Sequence, residues 1–196
     1  MYRDVPWQTV NEAYRELEAE GELTVRVYEQ CNFTELSELK AFVEAGNVTG
    51  SGTELFKVGP LKMLGDGALG ARTAYLSRLM RMIRPPAGSL YFPGGFDEMI
   101  GYANAHGMQA AVHAIGDACL DRVLDAYEKA LKEHPREDHR HGIVHCQITR
   151  PDQLERIARL KLHVYAQSIF LDYDNHIVKD RVERNWHRPA TAGKPL

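Results

Sequence analysis

The residues best suited to chemistry in this chain are Lys62, His113 and His145, each within or at the end of an apolar run. The runs are Pro60-Leu61-Lys62-Met63-Leu64, Gln109-Ala110-Ala111-Val112-His113 and Gly142-Ile143-Val144-His145, and a helix-like segment separates each from the next. If the runs are neighbouring parallel strands, the three side chains converge at the carboxyl rim of a sheet, where ligands and metals bind in α/β folds. A neutral imidazole suits a metal because one ring nitrogen meets the cation while the other donates to a second acceptor. Lys62 is costly to bury as an ammonium, and its blander role is to snorkel to the rim or pair with Asp66. Taken singly, each histidine is more often a hydrogen-bonded structural residue than a ligand. Their recurrence with Lys62 in successive strand-helix units favours a metal centre.

Other candidates surround these three. His139-Arg140-His141 is an H-x-H pair, but it lies in a charged stretch at the start of the His145 strand, hence at the opposite rim. Gly65-Asp66-Gly67-Ala68-Leu69-Gly70 follows a strand as phosphate-cradling loops do, yet lacks the GK[ST] ending of such loops. Asp66, Arg72 and Gln167 are candidate substrate-binding residues, with Arg72 and Thr73 suited to a carboxylate or phosphate. Asp117, after Gly116, is expected to cap the helix that follows it, with orienting a ligand as the alternative role. Asp172, Asp174 and His176 read as a solvated loop leading into a helix.

The elements that must position these groups alternate. Val10, Ala13, Tyr14 and Leu17 keep helical spacing before Gly21. Leu36, Leu39, Phe42 and Val43 share a face of a second helix, with Asn32 as its cap. Phe96, Met99, Ile100 and Ala103 mark a third. Leu120, Val123, Leu124, Tyr127 and Leu131 mark a fourth, and Leu154, Ile157, Ala158 and Leu162 a fifth, capped by Thr149 with Pro151 in its first turn. Strands are expected at 22–29, 58–64, 109–114, 142–148 and 164–171, and residues 65–95, dense in glycine and proline, as a long irregular excursion. Alternating strands and helices imply parallel βαβ units. Five strands suit an open doubly wound sheet or part of a closed barrel, and periodicity does not choose between them.

Composition sets the class. The 196 residues are 44% hydrophobic and 26% charged, as in a globular chain with a real core. No apolar run approaches the roughly 18 residues that cross a bilayer, and the start lacks a leader pattern, so a cytoplasmic protein is expected. A formal net charge of -3 with interspersed signs argues against nucleic acid as a partner. Cys31, Cys119 and Cys146 are odd in number and far apart, which indicates reduced thiols rather than a disulfide framework or a zinc module.

Three segments, Leu61 to Ala74, Ala111 to Asp117 with its His-Ala-Ile-Gly-Asp run, and Arg140 to Gln147, resemble the amidohydrolase superfamily, in particular its YtcJ-like (amidohydrolase 3) branch. The resemblance implies an α/β fold, a partial (β/α)8 TIM barrel of the metal-dependent hydrolase type comprising about strands 3 to 7. Residues 1–189 would be the central part of the barrel domain and 190–196 a flexible tail. It implies Lys62, His113 and His145 as catalytic metal ligands at the ends of strands four, five and six, Lys62 being the position where many members carry a carboxylated lysine. One or two divalent ions are implied, zinc first, with iron, manganese or nickel also suited to the ligands. The implied reaction is hydrolysis of a carbon-nitrogen, non-peptide bond in a small amide-like substrate by metal-activated water. Two family elements, an H-x-H pair on strand one and an aspartate on strand eight, are not in this sequence, and Val144 stands where the branch commonly has glutamate. The chain is therefore expected to be the inactive middle of a larger enzyme, with exposed sheet edges and a tendency to form homo-oligomers. The alternatives are a non-catalytic α/β domain binding an anion or nucleotide, and a degenerate barrel.

Overall fold

A computed structural model describes residues 5–77, 90–92 and 94–181. Eleven elements alternate: α1 (Trp7–Ala19), β1 (Val27–Cys31), α2 (Leu36–Glu44), β2 (Phe56–Leu64), α3 (Phe96–Ala105), β3 (Ala110–Ala114), α4 (Asp117–Glu133), β4 (Gly142–His145), α5 (Pro151–Arg159), β5 (His163–Tyr165) and α6 (Ile169–Arg181). The strands form one sheet in the order β1-β2-β3-β4-β5, and the β1–β2 and β4–β5 pairs are parallel. A doubly wound sheet reverses its strand order at a switch point, whereas a (β/α)8 wall adds each strand beside the last. The sequential order is that of the barrel wall. No helix among the described residues is long and apolar enough to cross a membrane.

The chain divides into two compact units: Met1–Met63, Pro93–Ala111 and Lys129–His141 form the first, and Leu64–Phe92, Val112–Glu128 and Gly142–Leu196 the second. In the first, Trp7 meets Phe42 edge-on at 4.9 Å and Tyr14 stacks on Phe56 at 4.9 Å, so aromatic contacts fasten α1 to α2 and β2. Leu39, Phe42, Leu61, Met63, Met99 and Ile100 are fully buried there. Asn104 sits wholly within this core, and its amide donates to the Ala130 and His134 carbonyls at the end of α4. In the second unit, Val112, Leu120, Val123, Leu124, Tyr127 and Ile143 are buried, and Arg150 and Arg156 of the α5 segment bridge to Asp117, Asp121, Asp125 and Glu128 of α4.

Several sequence expectations shift. The first strand runs over 27–31 rather than 22–29, because the N–H groups of Glu22 and Leu23 turn back to the Leu17 carbonyl and close α1. Asn32 does not cap α2; its side-chain amide donates to the Lys62 carbonyl at 2.7 Å, and Glu35 precedes the helix. The strand expected at 58–64 begins two residues earlier, with Phe56 and Lys57 joining the Lys62 strand in β2. β4 ends at His145 rather than 148, since His145 and Cys146 both turn to positive φ. Arg150, not Thr149, is the N-cap of α5. The strand expected at 164–171 stops at Tyr165, and Asp172, Asp174 and His176 lie within α6 rather than in a loop. Part of the excursion at 65–95 and the tail at 190–196 lie outside the described residues.

Candidate functional site

The second unit brings His113 and His145 together. His113 is the fourth residue of β3 and His145 the last of β4. Neighbouring strands lie about 4.8 Å apart, and the two rings meet edge to face with centroids 4.5 Å apart. His113 Nε2 lies 2.8 Å from the Gly67 carbonyl oxygen and 3.3 Å from Asp66 Oδ1. Neither oxygen can donate, so Nε2 carries the hydrogen and Nδ1 the lone pair, a tautomer assigned from its partners. The Nδ1 of His145 hydrogen-bonds to Gln167 Oε1, which places the lone pair of His145 on Nε2. Each ring is thus held by one nitrogen and carries its lone pair on the other, a tautomer that suits a metal-ligating histidine.

The loop after β2 is folded to make this possible. The Asp66 side chain is fully buried. Its carboxylate accepts the backbone N–H groups of Tyr75 at 2.8 Å, Ile115 at 3.0 Å and Gly116 at 2.8 Å. A side chain at Gly116 would put its Cβ 2.0 Å from the Tyr75 carbonyl oxygen, and one at Gly67 would strike Thr73 Oγ1 at 1.9 Å. The Gly in the His-Ala-Ile-Gly-Asp run is therefore required by the close approach of the 65–77 loop. Asp117 lies beside it, accepting from Ser77 N at 2.9 Å, from the Ser77 hydroxyl and from Arg150 Nη1 at 2.8 Å. It ties the loop to α5 as well as opening α4. The Gly67 and Ala68 N–H groups are directed to Thr73 within the loop, which speaks against a phosphate cradle.

Strain concentrates at the end of β4. His145 at φ 74° and Cys146 at φ 51° are consecutive non-glycine residues in the left-handed region, each of which costs on the order of 1 kcal/mol. Hydrogen bonds from Cys146 N to the Ala114 carbonyl and from Ile148 N to the Ile115 carbonyl hold them there. Phe170 of α6 lies 5.9 Å from the His145 ring. Cys119 lies beneath His113, and burial, with the Asp66 carboxylate adding to it, pushes its thiol well above the ordinary range, so it stays an inert thiol.

Lys62 belongs to the first unit, buried on β2 with Nζ donating to the Met63 carbonyl at 3.2 Å. Burial lowers its pKa to about 8. Arg72 sits exposed in the turn after Gly70 with φ 62°, and Gln167 is the partner of His145. The H-x-H residues are elsewhere engaged: His141 is fully buried between Asn104 Oδ1 and the Ala110 N–H. Asp66 as a clamp, Ser77, Arg150 and Phe170 were not expected in these roles from the sequence. Gly67 and Gly116 carried the only signal of the clamp, and nothing marked Phe170. Among the described residues no three His, Cys, Asp or Glu side chains are grouped to hold a metal. The two imidazoles fit a cation as part of a donor set, whereas both Asp66 oxygens are already occupied by backbone N–H groups.

Comparison with known proteins decides the family. A model of the amidohydrolase family (amidohydrolase 3) matches residues 9–193. The chain belongs to the amidohydrolase family. It is similar to YtcJ of Bacillus subtilis (strain 168), which carries an amidohydrolase name, with 34% identity over 70% of this chain and 26% of that protein. It also resembles the protein LONG AFTER FAR-RED 3 of Arabidopsis thaliana, with 25% identity over 83% of this chain and 27% of that protein. Two crystal structures share its fold with TM-scores of 0.73, those of uncharacterized metal-dependent hydrolases from Pyrococcus furiosus and Pyrococcus horikoshii OT3. The identities are 34% and 30%, over 88% and 87% of this chain and 35% and 33% of those chains. This amidohydrolase chain thus spans about a quarter of the curated relatives and a third of the solved hydrolases it matches. Its YtcJ-like branch and its partial-barrel α/β fold follow from the same matches.

Proposed function

We propose that the chain contributes to the metal centre of a hydrolase cleaving a carbon-nitrogen, non-peptide bond in a small amide-like molecule. The observation that carries this is the imidazole pair, with Nε2 of His113 and Nδ1 of His145 tied to oxygen acceptors and the opposite nitrogens bearing lone pairs. His113 Nδ1 and His145 Nε2 would hold a divalent cation, zinc in the first instance. Bound there, the cation supplies Lewis acidity and lowers the pKa of a water toward neutrality.

Lys62 enters this reading through the family resemblance. A lysine with a pKa near 8 is partly uncharged at neutral pH, and its Nζ can bond to the carbon of carbon dioxide with loss of a proton. The resulting carbamate is an anionic oxygen donor and removes the cost of a buried ammonium. Arg72, exposed on its turn, is the candidate for a substrate's anionic group, and Gln167 holds the His145 ring through Nδ1. The small-molecule substrate, a cytoplasmic setting, homo-oligomerisation and a barrel domain over 1–189 belong to the same proposal.

Zinc titration of the chain, with His113→Ala and His145→Ala beside it, tests this reading. It expects one zinc bound in the parent chain and loss of that binding in both variants. Unchanged stoichiometry in both would remove it.

A further inference from the structure

The geometry points to Asp66 as the residue that sets the tautomer and orientation of His113, a positioning role rather than a substrate contact. The inference rests on the metal-centre reading for its functional meaning, but its structural content stands apart from it. The Asp66 side chain is fully buried, and its two oxygens take three backbone N–H groups from two separate segments, Tyr75 on its own loop and Ile115 and Gly116 after β3. A carboxylate so filled has little capacity left for a ligand. What remains is shared between the Cys119 thiol and His113, whose Nε2 lies 3.3 Å from Oδ1.

The Gly67 carbonyl, the other acceptor for that nitrogen at 2.8 Å, is the next residue of the same loop. Its place is secured by the Asp66 clamp and by the Gly67 and Ala68 N–H groups bonding to Thr73. One buried carboxylate therefore does two things: it presents an acceptor to Nε2, and it carries the carbonyl that presents a second. Both select the Nε2–H form and leave the Nδ1 lone pair as the ligating one. Orienting groups of this kind typically govern metal affinity by 10- to 100-fold.

The test is long-range 1H–15N correlation on the histidine-labelled, metal-free chain at about pH 9, well above the ordinary imidazole value of about 6.5, beside zinc titration of the same samples. In the parent chain His113 is expected as a single Nε2–H tautomer; finding it as Nδ1–H, or as an even mixture, overturns the proposal whether or not any variant folds. In Asp66→Asn the Nδ1–H form should appear and zinc affinity should fall 10- to 100-fold, while a folded Asp66→Asn chain with the parental tautomer and affinity would also overturn it. Ser77→Ala, which loosens the loop at Asp117 without touching Asp66, should keep the parental tautomer. If the chain binds no zinc but the tautomer responds to Asp66→Asn as stated, the positioning role stands and the hydrolase reading falls.

Discussion

His139 and His141 stack at 4.8 Å within one unit, and His113 and His145 meet edge to face at 4.5 Å within the other. Distance does not separate these pairs; the fate of the ring nitrogens does. His141 Nδ1 accepts the Ala110 N–H, its Nε2 donates to Asn104 Oδ1, and His139 Nδ1 accepts the His141 N–H. A base with both nitrogens committed has no lone pair for a cation. In the other pair one nitrogen of each ring is held by an oxygen, which puts the lone pair on the opposite nitrogen. Both segments carry left-handed backbone, at Arg140 between the H-x-H histidines and at His145 itself, so only in the second case is the histidine the strained residue. An imidazole is ruled out as a ligand when its lone-pair nitrogen already accepts an N–H, as His141 Nδ1 does from Ala110.

The sharpest way to break this contrast is to truncate each ring. His113→Ala or His145→Ala should weaken zinc binding more than about 100-fold, exceeding what orienting groups give, measured by competition with a chromophoric chelator. His141→Ala should leave zinc affinity unchanged and instead cost about 3 kcal/mol, because Asn104 Oδ1 and the Ala110 N–H are left buried and unpaired. For a chain of this size that is a drop of roughly 10 °C in Tm. Equal zinc losses in both pairs would dissolve the distinction.

Acid should act on the buried pair too. Burial, with His139 and Arg136 adding to it, lowers the His141 pKa to about 3. The unfolded chain takes up a proton near pH 6.5 and the folded chain only near 3, so the unfolded state holds more protons in between. Stability should be full above about pH 6.5 and fall by a few kcal/mol toward pH 3. Urea unfolding across that range checks it, and His141→Gln should flatten the slope.

The contrast also explains what the sequence could and could not reveal. Lys62, His113 and His145 were legible as strand-borne polar residues because each interrupts or ends an apolar run, and the alternation of elements disclosed the βαβ order. The H-x-H pair was separable by its place before β4. The Asp66 clamp was not legible, since its partners are backbone N–H groups at 75, 115 and 116, which carry no residue-type signal beyond Gly116. The start of α6 was missed because Val164-Tyr165 and Ile169-Phe170-Leu171 read as one β-rich run, whereas the strand closes after three residues. Local hydrophobicity reports burial, and it does not report where a chain must turn.

Lys62 gives a third comparison, a buried amine set against the buried imidazole of His141. Its folded pKa near 8 lies below the ordinary value of 10.5 because burial disfavours the ammonium. Between pH 8 and 10.5 the unfolded state therefore binds more protons, so stability should rise with pH across that window, by on the order of 2 kcal/mol. Lys62→Met should abolish the rise and be more stable than the parent at neutral pH. A parent chain with no such rise, in carbon dioxide-free buffer, would show that Lys62 is not buried as a free amine.

The smallest effect concerns strain. Cys146 holds φ 51° next to His145 at 74°, and asparagine tolerates the left-handed region better than cysteine because its short polar side chain can bond locally. Cys146→Asn should therefore raise stability by at most about 1 kcal/mol, offset in part by the half-buried thiol it replaces. Zinc affinity should not change, because the hydrogen bond from residue 146 N to the Ala114 carbonyl, which fixes the turn, is a backbone bond that the substitution keeps. A gain in stability accompanied by weaker zinc binding would mean that the turn stores strain for the site. In that case relaxing Cys146 would let the His145 ring leave His113, and the two histidine pairs would differ in backbone tension as much as in their nitrogens.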